Sequence, residues 1–174
     1  ENFNNISDNV AIVIAFSCSK TLTSYGLRVG AAIIMAKQAN DVREIEIIFE
    51  KYARATWSNI ANAGMENFVR VTQDQYDAFM KEKAEYIELL RQRSEIFVKE
   101  ANECGLPIYP YKEGFFVTIQ MPNNEIREQY HQALIKENIF TVQVNKGIRV
   151  AVCSISVETV KGLAKRFKDI YDKL

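Results

Sequence analysis

Histidine is all but absent from this chain: His131 is the only one, so no cluster of imidazoles can assemble around a zinc ion. Cysteine is scarce as well. Cys18, Cys104 and Cys153 are odd in number, far apart and set among apolar or small residues. That pattern fits reduced thiols in a cytosolic protein, not a disulfide framework or a metal site. Net charge is missing too, because 22 basic residues meet 22 acidic ones, which argues against a nucleic-acid footprint or a polybasic membrane surface. The longest apolar run, "VAIVIAF" at 10–16, falls far short of a bilayer span, and no basic-then-apolar leader precedes it. A soluble, non-secreted, cytoplasmic protein is the expectation. Internal repeats, low-complexity tracts and Pro/Gly/Ser linkers are also lacking.

What is there suits a packed core. The 174 residues are 48% hydrophobic, enough for one ordinary domain or two small ones. "VAIVIAFS" is rich in β-branched residues and apolar on both faces, the signature of a central strand covered on both sides, and "GAAIIMA" at 30–36 reads the same way. Asp41 and Glu44 form an expected capping box ahead of a helix whose Val42, Ile45, Ile48, Phe49 and Tyr52 recur at helical spacing. Thr72 and Gln75 form a second, ahead of a long helix over 73–103 with Phe79, Tyr86, Leu90, Phe97 and Ala101 as its core stripe. Gly105 and Pro107 stop that helix. Its length suits a connector between two packing units. An α+β pattern follows: strand "FFVTIQM", helix "NEIREQYHQALIKE", strands "IFTVQV" and "IRVAVCSI", and a final amphipathic helix "SVETVKGLAKRFKDIYDKL". His131 reads as a solvated residue on the polar helix.

The chemistry concentrates in "FSCSKTLTSYGLRVG" at 16–30. A phosphate-binding loop of the nucleotide type is excluded, because Ser17, Cys18 and Ser19 stand where glycines would let backbone N–H groups wrap the phosphates. A lysine that bonds an aldehyde cofactor fits better. It needs an amine at a strand end, a nearby hydroxyl, and a charged fork able to bind phosphate, and Ser17, Lys20 and Arg28 supply these. Tyr25 and Ser58 read as structural.

The string "SCSKTLTSYGLRVG" resembles the lysine motif of the pyridoxal-phosphate enzymes of the aspartate and aromatic aminotransferase family. The resemblance implies that Lys20 carries the cofactor covalently and that Ser17 and Arg28 hold its phosphate, with Gly30 in register. "RATWSN" at 54–59 is similar to the family segment whose arginine reaches the neighbouring subunit's site and grips the distal carboxylate of dicarboxylic substrates, which points to Arg54. Ile60 and Ala61 stand where the family has two prolines. "NKGIRVAVCSIS" resembles the strand whose arginine pairs with the substrate α-carboxylate, here Arg149, and "GFFVTIQ" the strand with an aromatic residue near the substrate, here Phe116. These residues would make the parent a transaminase acting on an L-amino acid and a 2-oxo acid such as 2-oxoglutarate. A carbon–sulfur lyase on the same fold and a non-catalytic ligand-sensing domain are the alternatives.

The expected fold is α/β. Residues 1–71 would be the end of a large cofactor-binding domain, 72–104 a connecting helix, and 105–174 a small α/β domain. Lys20 lies nineteen residues from the first residue, whereas the family places much of its large domain before the lysine. The chain therefore reads as a C-terminal portion, inactive in isolation, that forms homodimers or larger self-associated species and binds neither nucleic acid nor membrane.

Overall fold

The computed structural model describes residue 3 and residues 7–174. The chain divides into two compact units, Glu1–Met80 and Lys81–Leu174.

In the first unit, β1 (Ile12–Ser17) and β2 (Gly30–Met35) form an antiparallel pair in which Ile12 faces Met35 and Ser17 faces Gly30. A four-residue helix α1 (Cys18–Thr21) leaves β1 directly, and a 3₁₀ turn, Tyr25–Leu27, leads back into β2. Two further helices follow, α2 (Ala39–Thr56) and α3 (Asn62–Val69). The buried apolar set of this unit is Cys18, Leu22 and Val29, with Phe16, Ile60, Val71 and Phe79 packed around it. Both faces of the expected central strand are instead open: the neighbours Val13 and Ile14 point to opposite sides, and both are exposed. The reason is coverage. Helix α2 buries none of its residues, and Ile48, Phe49 and Tyr52 of its apolar stripe are exposed.

The two expected capping boxes are both corrected. Helix α2 begins before Asp41, with Gln38 at its N-cap and no side-chain cap, so Asp41 lies within the first turn, where its charge meets the positive helix end. Thr72 lies in a π-helical turn, Arg70–Asp74, that continues α3; its Oγ1 donates to the Phe68 carbonyl at 2.6 Å and caps nothing. Gln75 breaks the helical path, and α4 (Tyr76–Cys104) starts after it.

The second unit holds the main core. β3 (Val117–Gln120), β4 (Val142–Val144) and β5 (Gly147–Val150) form an antiparallel sheet in the order β3-β5-β4. Strand alternation puts Val117, Ile119, Ile148 and Val150 on one buried face. Against this core pack Phe97 and Ala101 of α4, Tyr130 and Leu134 of α5 (Asn124–Lys136), Val160 of α6 (Val157–Val160), and Ala164, Phe167 and Ile170 of α7 (Leu163–Tyr171). Of the expected α4 stripe, Tyr86 is exposed and Phe79 belongs to the first unit's cluster, so only its C-terminal part reaches this core.

The final helix is two helices, because Gly162 takes a left-handed backbone with φ 78°. The carboxylate of Glu100 fixes that corner by accepting the Gly162 N–H at 2.9 Å. His131 is not simply solvated: its Nε2 lies 3.2 Å from the Thr141 carbonyl, and its Nδ1 lies 2.7 Å from Nε2 of Gln143 on β4.

Candidate functional site

Ser17, Lys20 and Arg28 lie on one short segment where β1 ends in a helix start and the chain turns back into β2. Ser17 keeps an extended backbone, and its Oγ accepts the Ser19 N–H at 3.3 Å, the N-cap geometry of α1. Lys20 sits in the last turn of that helix with its side chain exposed. The chain then returns through Leu22, buried beside Cys18, and the Cys18 N–H donates to the Val29 carbonyl at 3.1 Å. This tie anchors the Lys20 turn to the segment that carries Arg28.

Between them stands Tyr25. The Lys20 Nζ lies 5.0 Å from the centre of its ring and the Arg28 guanidinium carbon 5.4 Å, while Arg28 Nη1 donates to the Tyr25 carbonyl at 2.8 Å. A ring face carries partial negative charge, so it offsets the repulsion between two neighbouring cations. Arg28 is held in the left-handed region at φ 55°, as is Thr23 at φ 52°, so residues with Cβ atoms carry backbone strain at both ends of this loop. Ser24 pins the loop from below: it is buried, donates to the Leu22 carbonyl at 2.9 Å, and accepts from Asn67 of α3 at 3.1 Å.

Two glycines make the packing possible. A Cβ on Gly30 would stand 2.6 Å from the Phe16 carbonyl oxygen, and one on Gly64 would stand 2.5 Å from Cγ2 of Val29. Residues this close to backbone or to a stiff β-branched side chain admit only glycine without a shift. Burial pushes the Cys18 thiol up from its ordinary value, so it stays protonated beneath the turn.

Arg54 closes α2 and is exposed; its Nη1 donates to Ser58 Oγ at 3.0 Å. Ser58 itself is left-handed at φ 70°, and its N–H donates to the Ala53 carbonyl. Ser58 thus aims the guanidinium as well as ending the helix. Tyr52 and Trp57 meet edge to face beside it, with ring centres 6.2 Å apart.

In the second unit Arg149 and Phe116 meet. Arg149 lies opposite Thr118 of β3, and alternation puts its side chain, with those of Thr118 and Phe116, on the face away from the core. Its guanidinium carbon lies 4.3 Å from the Phe116 ring centre, and its Nε is buried with no hydrogen-bond partner among the described residues. A buried guanidinium N–H left without an acceptor is costly, and a carboxylate is the acceptor that matches the fork.

Sequence reasoning missed the part played by Tyr25. Its signal was present in the spacing: five residues after the lysine and three before the arginine, within one short loop.

The comparisons with known proteins agree in direction. A family model described as aminotransferase class I and II matches residues 2–167. The crystal structure of an aminotransferase from Anaerococcus prevotii DSM 20548 is 33% identical, with a TM-score of 0.90 over 99% of this chain. The chain spans 42% of the length of that protein. A broad specificity aminotransferase from Leishmania mexicana shares the fold at 16% identity and a TM-score of 0.68, over 94% of this chain and 40% of its own. No curated protein matches the chain.

Proposed function

The chain belongs to the aminotransferase class I and II family, and from that membership we propose that it is the lysine-bearing portion of a pyridoxal-phosphate-dependent aminotransferase of the aspartate and aromatic type. The intact parent moves an amino group between an L-amino acid and a 2-oxo acid such as 2-oxoglutarate. The observation that carries this reading is the turn in which the hydroxyl of Ser17, the amine of Lys20 and the guanidinium of Arg28 all belong to one anchored loop.

The donor set suits the cofactor. Ser17 Oγ accepts the Ser19 N–H and keeps its own proton to give, and Arg28 is an exposed, permanently charged fork; together they match a phosphate. Lys20 makes no ion pair among the described residues, which leaves its amine available to an aldehyde. Bound pyridoxal phosphate supplies an electron sink for the substrate α-carbon. Lys20 is the catalytic residue that takes and returns the proton at that carbon, a role that needs a flexible stem and a basic nitrogen. Arg149 binds the substrate α-carboxylate, and the contact of its guanidinium with the Phe116 ring keeps the fork oriented. Arg54, aimed by Ser58, binds the distal carboxylate of a dicarboxylic substrate in the neighbouring subunit of a homodimer.

Residues 1–71 read as the end of the large domain, 72–104 as the connecting helix, and 105–174 as the small domain. By itself the 174-residue chain has little or no turnover, and it self-associates; the open apolar faces of β1, β2 and α2 support the self-association. The free thiols of Cys18, Cys104 and Cys153 suit a reducing compartment such as the cytoplasm. Among the described residues no helix is long and apolar enough to cross a membrane.

The test is incubation with pyridoxal phosphate, borohydride reduction and peptide mapping, alongside a coupled assay of 2-oxoglutarate-dependent amino transfer. Label concentrated on Lys20 supports the reading; label spread evenly over the lysines overturns it. Brisk turnover by the chain would refute its inactivity, and pyruvate release without an acceptor oxo acid would move the parent to a lyase.

A further inference from the structure

We infer that Tyr25 is a positioning residue of the cofactor loop, and that its ring, rather than its hydroxyl, sets both the amine of Lys20 and the guanidinium of Arg28. The inference rests on the reading of Lys20 as the cofactor lysine. Three contacts meet on this one residue: the Lys20 Nζ 5.0 Å from the ring centre, the Arg28 carbon 5.4 Å from it, and Arg28 Nη1 donating to its carbonyl at 2.8 Å.

The physical case starts from repulsion. Two cations on one short loop drive each other apart, and no carboxylate pairs with either among the described residues. Exposed lysine and arginine stems carry much rotamer freedom, so each would sample solvent unless something attracts it. Among the described residues the tyrosine ring is the group that lies against both, and it attracts each without neutralising it. A carboxylate in its place would pair with the amine and compete with the phosphate for the guanidinium. The ring would therefore keep the pair poised, with Arg28 free to hold a phosphate and Lys20 free to meet an aldehyde.

The loop is built to hold the ring there. Tyr25 is 67% exposed, so it is not kept for burial. Its turn is nevertheless fastened on both sides, by buried Ser24 with its bonds to Leu22 and Asn67, and by the Leu27 N–H to the Ser24 carbonyl at 3.1 Å. Strained, left-handed Thr23 and Arg28 flank that turn. A firmly held backbone that presents an exposed aromatic ring to two functional cations indicates orientation as the ring's task.

The experiment compares labelling of Lys20 by pyridoxal phosphate and by pyridoxal, which lacks the phosphate, in the full chain and in its Tyr25→Phe and Tyr25→Leu variants. Reduction with borohydride and quantitative peptide mapping read the Lys20 product, with the other lysines as internal reference. The parent sequence should prefer the phosphorylated aldehyde at Lys20, and Tyr25→Phe should keep that preference within about twofold, because the ring remains. A cation–ring contact at an exposed site shifts an equilibrium by about two- to fivefold, so Tyr25→Leu, which removes the ring from Arg28, should lower the preference by up to about fivefold. Both variants keep the carbonyl contact, and matching urea unfolding curves would establish that the fold is intact. A Tyr25→Leu chain that keeps the full preference overturns the inference while leaving Lys20 as the cofactor lysine. Absence of selective Lys20 label in the unmodified chain overturns the underlying reading, and the inference falls with it.

Discussion

Replacing Gly147 with alanine should weaken the second unit, and the structure says which atoms are responsible. Gly147 sits in β5, between Gln120 of β3 and Val144 of β4, on the same face as Arg149. A Cβ there would stand 2.7 Å from Cγ2 of Thr118, 3.1 Å from the Ile119 carbonyl oxygen and 3.1 Å from Cγ2 of Val144. Two of these neighbours are β-branched and stiff at χ1, and the third is backbone, so none yields by a free rotation. Overpacking of this kind costs about 1–3 kcal/mol. With a urea dependence of about 1–3 kcal/mol per molar, the midpoint of the Gly147→Ala chain should fall by roughly 1 M. The closest atom, Cγ2 of Thr118, is removed by Thr118→Ser. The double variant should therefore lose less than the sum of the single losses, by about 0.5 kcal/mol or more. The assay is urea unfolding of the four chains followed by circular dichroism. An unchanged midpoint for Gly147→Ala, or strict additivity in the double variant, would refute the packing argument.

Four other outcomes follow from the structure. Tyr130 is fully buried and donates to the Phe167 carbonyl at 2.7 Å. Its replacement by phenylalanine should cost about 1 kcal/mol, or about 4–8 °C in Tm for a unit of this size, in a thermal melt. Burial first, then the nearby Tyr171 and Asp172, pushes its phenol above the ordinary value. The unfolded phenol thus loses its proton first as pH rises, and stability should fall above the ordinary phenol range in the parent chain but less steeply in Tyr130→Phe. At Cys18 burial likewise favours the thiol, so alkylation should lag behind a free cysteine at neutral pH and still be accelerating above its ordinary value; fast, plateaued reaction near pH 8 would contradict the burial. In the full-length parent, Arg149→Lys should lower kcat/KM for amino acids by about 10- to 100-fold through loss of the paired N–H fork, and steady-state kinetics that match the parent's would remove Arg149 from the substrate site.

The candidate loop was legible in the sequence because it is local. Ser17, Lys20 and Arg28 lie within twelve residues, and a short helix and a 3₁₀ turn set Lys20 and Arg28 against one ring without distant parts of the chain. The strands and helices of 105–174 were legible for a similar reason, since alternation and helical spacing there match the buried faces. Helix starts were less so. Asp41–Glu44 and Thr72–Gln75 satisfy the capping pattern, yet α2 starts earlier and a π-helical turn overruns Thr72. Capping chemistry is worth about 1 kcal/mol, which a continuing helix readily outweighs.

Other features were decided only in three dimensions. The apolar runs of β1 and β2 announce strands with two buried faces, but burial depends on what lies against them, and the open faces of Val13, Ile14 and Ile33 record that α2 does not cover them. The pairing of Arg149 with Phe116 joins residues thirty-three positions apart through strand register, and neither residue identifies the other in the linear chain. Glu100 on the Gly162 N–H and His131 against Gln143 are of the same kind. The sequence by itself determined which side chains the loop carries, the types of element and the family resemblance, because these depend on residue identity and short spacing. Tertiary structure decided which ring lies against which cation, which apolar face is covered and which buried polar atoms lack a partner among the described residues. Those depend on how distant segments meet.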